Sequence, residues 1–146
     1  RKRDTGRGVA IVERSGAFVA MVVEVAREEG RVKVKKITNA VDCGTTVNPD
    51  VVKAQTEGSA VMGLTAAYKS AITFENGAVV QKNFDTYPML TLAECPAMEV
   101  FVVQSNEPPE GAGEAGLPTV APALCNAIFN MTGKRIRKLP FNLQDV

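Results

Sequence analysis

The sequence predicts an α+β domain: a largely antiparallel sheet of about four to five strands carrying two main helices. Three observations lead there. Apolar and polar residues alternate with period two through the first third, between short turn sequences. Residues 48–68 combine a helix-start signature with a helix-length run, and residues 118–133 set Leu124, Ile128 and Met131 on one stripe ahead of Gly133.

The strands come first. GVAIVER (8–14), AFVAMVVEVAR (17–27) and RVKVKKITNAV (31–41) are rich in Val and Ile, and Ser15-Gly16 and Glu28-Glu29-Gly30 separate them as tight turns. This arrangement is an antiparallel meander. In the third run Val32 and Val34 alternate with Lys33 and Lys35, which puts one face on a core and the other in water. The second run is apolar on both faces, so it belongs in the middle of the sheet.

In NPDVVKAQTEGSAVMGLTAAY, Asn48 caps the first-turn amides, Pro49 suits the first helical position, and Asp50 favours the positive end of the helix dipole. A helix over 49–68 follows. Gly58 and Gly63 each cost it about 1 kcal/mol relative to alanine, a cost that close approach of a backbone or a ligand would offset. Asn76-Gly77 between apolar runs marks a hairpin, and AMEVFVV (97–103) is a further strand. SNEPPEGAGEAGLP (105–118) is an irregular connection, of the long kind that is often functional. A second helix occupies PTVAPALCNAIFNMTG, with Pro122 in its first turn and Gly133 as its cap. KRIRKLPF then reads as an edge strand or a basic patch.

Composition narrows the function classes. A chain of 146 residues with 45% hydrophobic and 23% charged content folds as one domain. A formal charge of +1 provides no field for nucleic acid or an acidic membrane, and no apolar run reaches the roughly 18 residues of a membrane span. Without histidine, this chain assembles no His-based triad, no His general base and no histidine zinc site. Cys43, Cys95 and Cys125 are odd in number and far apart, which suggests neither a disulfide framework nor a CxxC pair. Proton chemistry therefore falls mainly to carboxylates. The chain opens at Arg1 with no signal-type apolar core and is expected to be a fragment. GRG at 6–8 lacks the spacing and the GK[ST] of a phosphate loop.

Two places stand out chemically. In GAGEAGLP (111–118), Glu114 is the one ionisable side chain on a segment of glycines and alanines whose backbone can approach something large. The start of the second helix lies close by, and its free amides favour an anionic or oxo group. Gln55 lies three residues before Gly58, so its amide projects beside a patch without a side chain. That pair presents a donor and an acceptor to a flat ligand, or else marks tight packing beside a solvated glutamine. Both readings stand at this level.

DCGTTVNPDVVKAQTEGSAVMGL, NFDTYPMLTLAECP and GAGEAGLPTVAPALCNAIFNMTGKRIRKLP, in that order, resemble the C-terminal end of the molybdopterin-binding large subunit of the xanthine oxidase and aldehyde oxidoreductase family. Within it the branch most similar is the isoquinoline 1-oxidoreductase beta subunit. The resemblance runs from about residue 7 to the end and implies the final domain of a much longer subunit, one that alone neither holds its cofactor tightly nor turns over substrate.

It implies a hydroxylase whose molybdenum is held by a pterin dithiolene and by no protein side chain. The glutamate of the family's GExGxP-like motif falls on Glu114, the base that takes a proton from the metal's hydroxyl ligand as its oxygen attacks an electron-poor carbon. Gln55 and Gly58 then contact the pterin and Gly113 lies near the metal. The substrate is an aldehyde or an N-heterocycle, water supplies the oxygen, and electrons leave through [2Fe–2S] clusters on a small partner subunit. The cytosine dinucleotide form of the cofactor is admitted without being required. A different class remains beside this one: a non-catalytic binding or scaffold module that presents Lys33, Lys35, Lys36 and the KRIRK segment to an anionic partner.

Overall fold

At Ser15-Gly16, Glu29-Gly30 and Asn76-Gly77 both central residues have positive φ, 51° and 83°, 51° and 79°, and 50° and 79°. This is the pairing a type I′ hairpin turn requires, and it matches the right-handed twist of the flanking strands. The structure, a computed structural model, describes residues 4–146. The first two turns join β1 (Thr5–Arg14), β2 (Ala17–Glu28) and β3 (Arg31–Asp42) into the expected antiparallel meander. After α1 (Pro49–Tyr68), the third turn closes a separate two-stranded hairpin of β4 (Phe74–Glu75) and β5 (Ala78–Val79). β6 (Ala97–Val102) returns to pair in parallel with β3, and α2 (Leu117–Thr132) follows.

The main sheet has four strands in the order β1-β2-β3-β6. The architecture is α+β, as the patterning predicts, with β2 in the interior of the sheet. A bulge between Glu24 and Val25 shifts the β2–β3 register by leaving Lys35 unopposed.

Both helices pack on one face of the sheet. Met21, Val23 and Val25 of β2 and Ile37 of β3 meet Ala60 and Leu64 of α1 and Val120, Leu124 and Ile128 of α2 in a single buried cluster. Each large aliphatic side chain in it contributes about 1.5–3 kcal/mol relative to exposure. A smaller cluster of Ala17, Val19, Val41, Cys43 and Ala115 lies beyond it. Asn48 caps α1 as its residue type predicts: its Oδ1 accepts from the amides of Asp50 at 3.1 Å and Val51 at 3.2 Å.

Small residues set the helix heights. A Cβ on Gly8 would stand 2.1 Å from both the Ala123 carbonyl oxygen and the Ala127 amide nitrogen, so α2 lies backbone to backbone on β1. Gly6 meets the Ala127 carbonyl in the same way, at 2.2 Å. The GRG stretch, which carries no phosphate-loop signature, is thus a packing seam. On α1, a Cβ at Gly63 would meet Val120 of α2 at 2.5 Å, whereas one at Gly58 would meet nothing within 4 Å. The two helix glycines therefore differ: Gly63 packs within the chain and Gly58 faces open space.

Two sequence expectations need correction. Pro122 lies inside α2 and not in its first turn, because the helix begins at Leu117 and Pro118 fills the early position. Without an N–H, Pro122 leaves the Pro118 carbonyl without its helical donor. The basic segment 134–138 forms no strand. The left-handed cap at Gly133 (φ 78°) turns the chain off α2, Ile136 and Phe141 pack on the main core, and the Phe141 amide donates to the Ala67 carbonyl at 3.1 Å. The segment crosses the helix layer and does not run along a sheet edge.

Lys69 donates to both carboxylate oxygens of Glu94, one of them at 2.7 Å, and Glu94 also accepts from the Thr91 amide and hydroxyl. Lys69 and then Thr91 pull the Glu94 carboxyl from 4.5 down to about 2. A depressed carboxylate stabilises the fold above its ordinary range, and that contribution fades as pH falls from about 4.5 toward 2. Glu94→Gln should flatten that acid limb in urea titrations run across the interval. The glycine contrast is equally direct. Gly58→Ala should gain about 1 kcal/mol from helix propensity. Gly63→Ala should lose up to about 2 kcal/mol, as overpacking against the stiff Val120 outweighs the same gain. Gly8→Ala should cost more than about 3 kcal/mol, because backbone atoms must move; chemical unfolding of the three variants measures the order.

Candidate functional site

The connection between β6 and α2 carries the candidate carboxylate, and hydrogen bonds fix it along its length. The Val103 amide donates to Val41 at 2.8 Å, the Thr45 amide to Glu107 at 2.9 Å, and the Glu110 amide to Cys43 at 2.9 Å. Gly44 makes this possible: its φ is +70°, and a Cβ there would stand 2.0 Å from the Pro108 carbonyl oxygen. The DCGTT segment and residues 107–110 are therefore zipped together. Farther on, Ala115 inserts into the smaller core at 2% exposure. That anchor holds its neighbours Gly113 and Glu114 at the surface.

α1 holds the same loop from the other side. The Ser59 hydroxyl donates to the Gln55 carbonyl at 2.8 Å and also reaches the Gly113 carbonyl at 3.3 Å. A Cβ on Gly116 would touch the Ser59 Cβ at 3.4 Å, and one on Gly113 would lie 3.6 Å from the Gln55 Nε2. Gln55 and Gly113, far apart in sequence, are thus neighbours. The Gln55 amide hydrogen-bonds to no other side chain or backbone group among the described residues, so its donor and acceptor are free. Gly58 lies one turn along with open space beside it.

Glu114 follows Gly113 directly and points outward, its side chain 74% exposed. Its Oε2 accepts from the Arg14 Nη2 at 2.9 Å, across from the β1–β2 turn. The Leu117 amide donates to the Glu114 carbonyl at 3.1 Å, so the carboxylate stands at the mouth of α2. Gly116 caps that helix without a side-chain hydrogen bond, but contrary to the sequence expectation its first turn offers no free amide at the surface: the Leu117 amide is taken by Glu114, Pro118 has no N–H, and Thr119 and Val120 are buried.

The surface therefore combines a free carboxamide, exposed backbone at Gly58 and at Gly113, and one solvated carboxylate. Such a set can lie against a planar polar group and accept a proton beside it. The fit to a pterin-type cofactor rests on the space beside Gly58 and the unpartnered Gln55 amide. Among the described residues no three His, Cys, Asp or Glu side chains gather as a metal-ligand set. A cavity of about 470 Å³, lined by Lys33, Tyr68, Glu94, Cys95 and Leu143 among others, lies elsewhere and contains none of the four candidate residues. The candidate site is an open surface.

Sequence reasoning missed Arg14 and Ser59. Arg14 lies a hundred positions from its partner and carries no local signal. Ser59, four residues beyond Gln55 on the same helix face, was legible in spacing alone.

The profile of the Molybdopterin cofactor-binding domain family matches residues 2–96, and the chain belongs to that family. The chain is 44% identical over 124 residues, 85% of its length, to "Membrane-bound aldehyde dehydrogenase [pyrroloquinoline-quinone]" of Gluconacetobacter polyoxogenes, whose name carries a quinone cofactor. It is 36% identical over 146 residues, 96% of its length, to "Isoquinoline 1-oxidoreductase subunit beta" of Brevundimonas diminuta. It covers only 16% and 19% of those two proteins. Among solved structures, the aldehyde oxidoreductase from Desulfovibrio desulfuricans ATCC 27774 superposes with a TM-score of 0.71 at 25% identity, over 88% of this chain and 15% of that one. No helix among the described residues is long and apolar enough to cross a membrane.

The Arg14–Glu114 pair is exposed at both ends, and exposed pairs contribute no more than about 1 kcal/mol. Arg14→Met should leave the unfolding midpoint within a few degrees of the parent by calorimetry, with the loop still seated by Ser59 and Ala115.

Proposed function

We propose that this chain is part of the molybdopterin-binding subunit of a molybdenum hydroxylase, an oxidoreductase that hydroxylates an aldehyde or an N-heterocycle with oxygen from water. The one observation that carries the reading is the junction of α1 with the glycine loop, where Gln55 Nε2 lies beside Gly113 and Ser59 holds the Gly113 carbonyl at 3.3 Å. Family membership, a relative named as an isoquinoline 1-oxidoreductase subunit and a solved structure named as an aldehyde oxidoreductase support it.

When bound, the molybdenum–pterin group supplies the two-electron oxidation. Gln55 would donate to and accept from its polar groups, and Gly58 and Gly113 would let it approach the backbone. Glu114 is the general base: an ionised carboxylate accepts only, and it takes the proton released as the oxygen nucleophile attacks the substrate carbon. To do so it leaves Arg14, at small cost because that pair is solvated. The rest of the large subunit completes the pocket, [2Fe–2S] clusters on a small partner subunit take the electrons, and the cytosine dinucleotide is one form the cofactor takes.

The scaffold alternative has less support. Lys33 and Lys35 both pair with Glu28, and Lys36 pairs with Glu99 at 2.7 Å, so the basic strand is largely neutralised. Arg135 stacks over the Phe129 ring at 3.3 Å from its centroid.

In the full-length enzyme, Glu114→Gln should lower kcat by about 10²–10⁴-fold, the usual worth of a general base, while molybdenum content stays near that of the parent. Steady-state kinetics with metal analysis on the same preparation decides it; retention of most of the activity at normal metal content would remove Glu114 from the role.

A further inference from the structure

The second face of the main sheet carries no helix. The strand register lines its residues up in rows: Ile11, Ala20, Ala40 and Phe101 in one, Val9, Val22, Thr38 and Glu99 in the next. Ile11 is 71% exposed, Val9 59% and Phe101 53%, while Ala20, Val22, Thr38 and Ala40 between them are half-buried only by these neighbours. Small side chains on the two inner strands thus form a shallow floor, with large apolar ones on β1 and β6 as its walls. At one end Arg7 pairs with Glu24 and Lys36 with Glu99, which closes the apolar area with matched charge.

An antiparallel sheet with one solvated face alternates apolar-in with polar-out, and β2 departs from this over Phe18, Ala20 and Val22, which face outward before Glu24 restores the pattern. Contiguous exposed apolar surface of this kind marks an interface.

We propose that this face is an interior one, covered by an apolar layer from the rest of the same polypeptide. One observation favours that occupant over a second copy or a separate subunit: the relatives matched by this chain carry more than four-fifths of their length outside the matched region, since it covers 16% and 19% of them. The face is distinct from the candidate site, for Arg14 pairs in register with Ala17 on the helix-covered side, whereas Phe18 and Glu13 lie on the bare side.

The assignment does not require the catalytic reading, and its test is separate from turnover. Ala20→Cys and Ala40→Cys are introduced one at a time into the full-length subunit, with Lys53→Cys on the exposed side of α1 as the reference. Maleimide labelling is then followed by peptide mass spectrometry. Labelling at positions 20 and 40 at least ten-fold slower than at 53, unchanged on dilution and without any other polypeptide, is the expected result. Labelling at the reference rate overturns the proposal, and so does protection that disappears on dilution or needs an added subunit. Should a cysteine variant fail to fold, hydroxyl-radical footprinting of Ile11 and Phe101 in the unmodified subunit measures the same burial: protection supports the proposal, and oxidation at the rate of exposed side chains overturns it. Adding Glu114→Gln should leave every labelling rate as it was, which keeps failure of the base assignment distinct from failure of this one.

Discussion

At Gly8 two backbones touch where side chains normally intervene, with Ala123 and Ala127 of α2 lying directly on β1. The rest of the domain depends on that contact. It sets α2 close to the sheet at the β1 edge, so that Val120, Leu124 and Ile128 reach Met21 and Val23 without a gap. Close packing of this kind tolerates neither added nor missing atoms, because interiors are as dense as organic crystals. With α2 fixed, Gly63 seats α1 against Val120, and the relative position of the two helices follows.

That position places the candidate site. α1 contributes Gln55 and Ser59, and the loop before α2 contributes Gly113 and Glu114. They meet because both helices rest on the same sheet face and Ala115 ties the loop into the smaller core. The packed residues are the anchors, and the polar groups are left at the surface. Energy stored in packing thus holds chemistry that contributes almost nothing to stability itself, as the exposed Arg14–Glu114 pair illustrates. A domain built this way presents an open candidate site beside its helices, and the bare outer face of its sheet has the same incomplete character.

Much of this was legible in the residues. Three turn dipeptides, Asn48-Pro49-Asp50 and the period-two runs determined the element order, because each acts through local φ preference, capping or face alternation. The inner place of β2 followed from its two apolar faces. The motif resemblance singled out Glu114, Gln55, Gly58 and Gly113, and the family match came without reference to coordinates. Boundaries were harder: β1 begins at Thr5 and not Gly8, since a glycine pair that looks like loop is admitted to a strand when a helix backbone covers it. Pro122 lies deeper in α2 than its residue type suggests, because Pro118 satisfies the same first-turn preference.

The sequence by itself determined the local conformations and which residue types were available for chemistry, because turns, caps and alternation depend on neighbours along the chain. Only the tertiary structure decided which glycine serves packing and which faces open space, and that Arg14 meets Glu114 and Ser59 meets Gly113. It also decided that KRIRK crosses the helix layer instead of pairing as a strand. Those outcomes depend on groups brought together from distant parts of the chain, and no local preference encodes the distance between them.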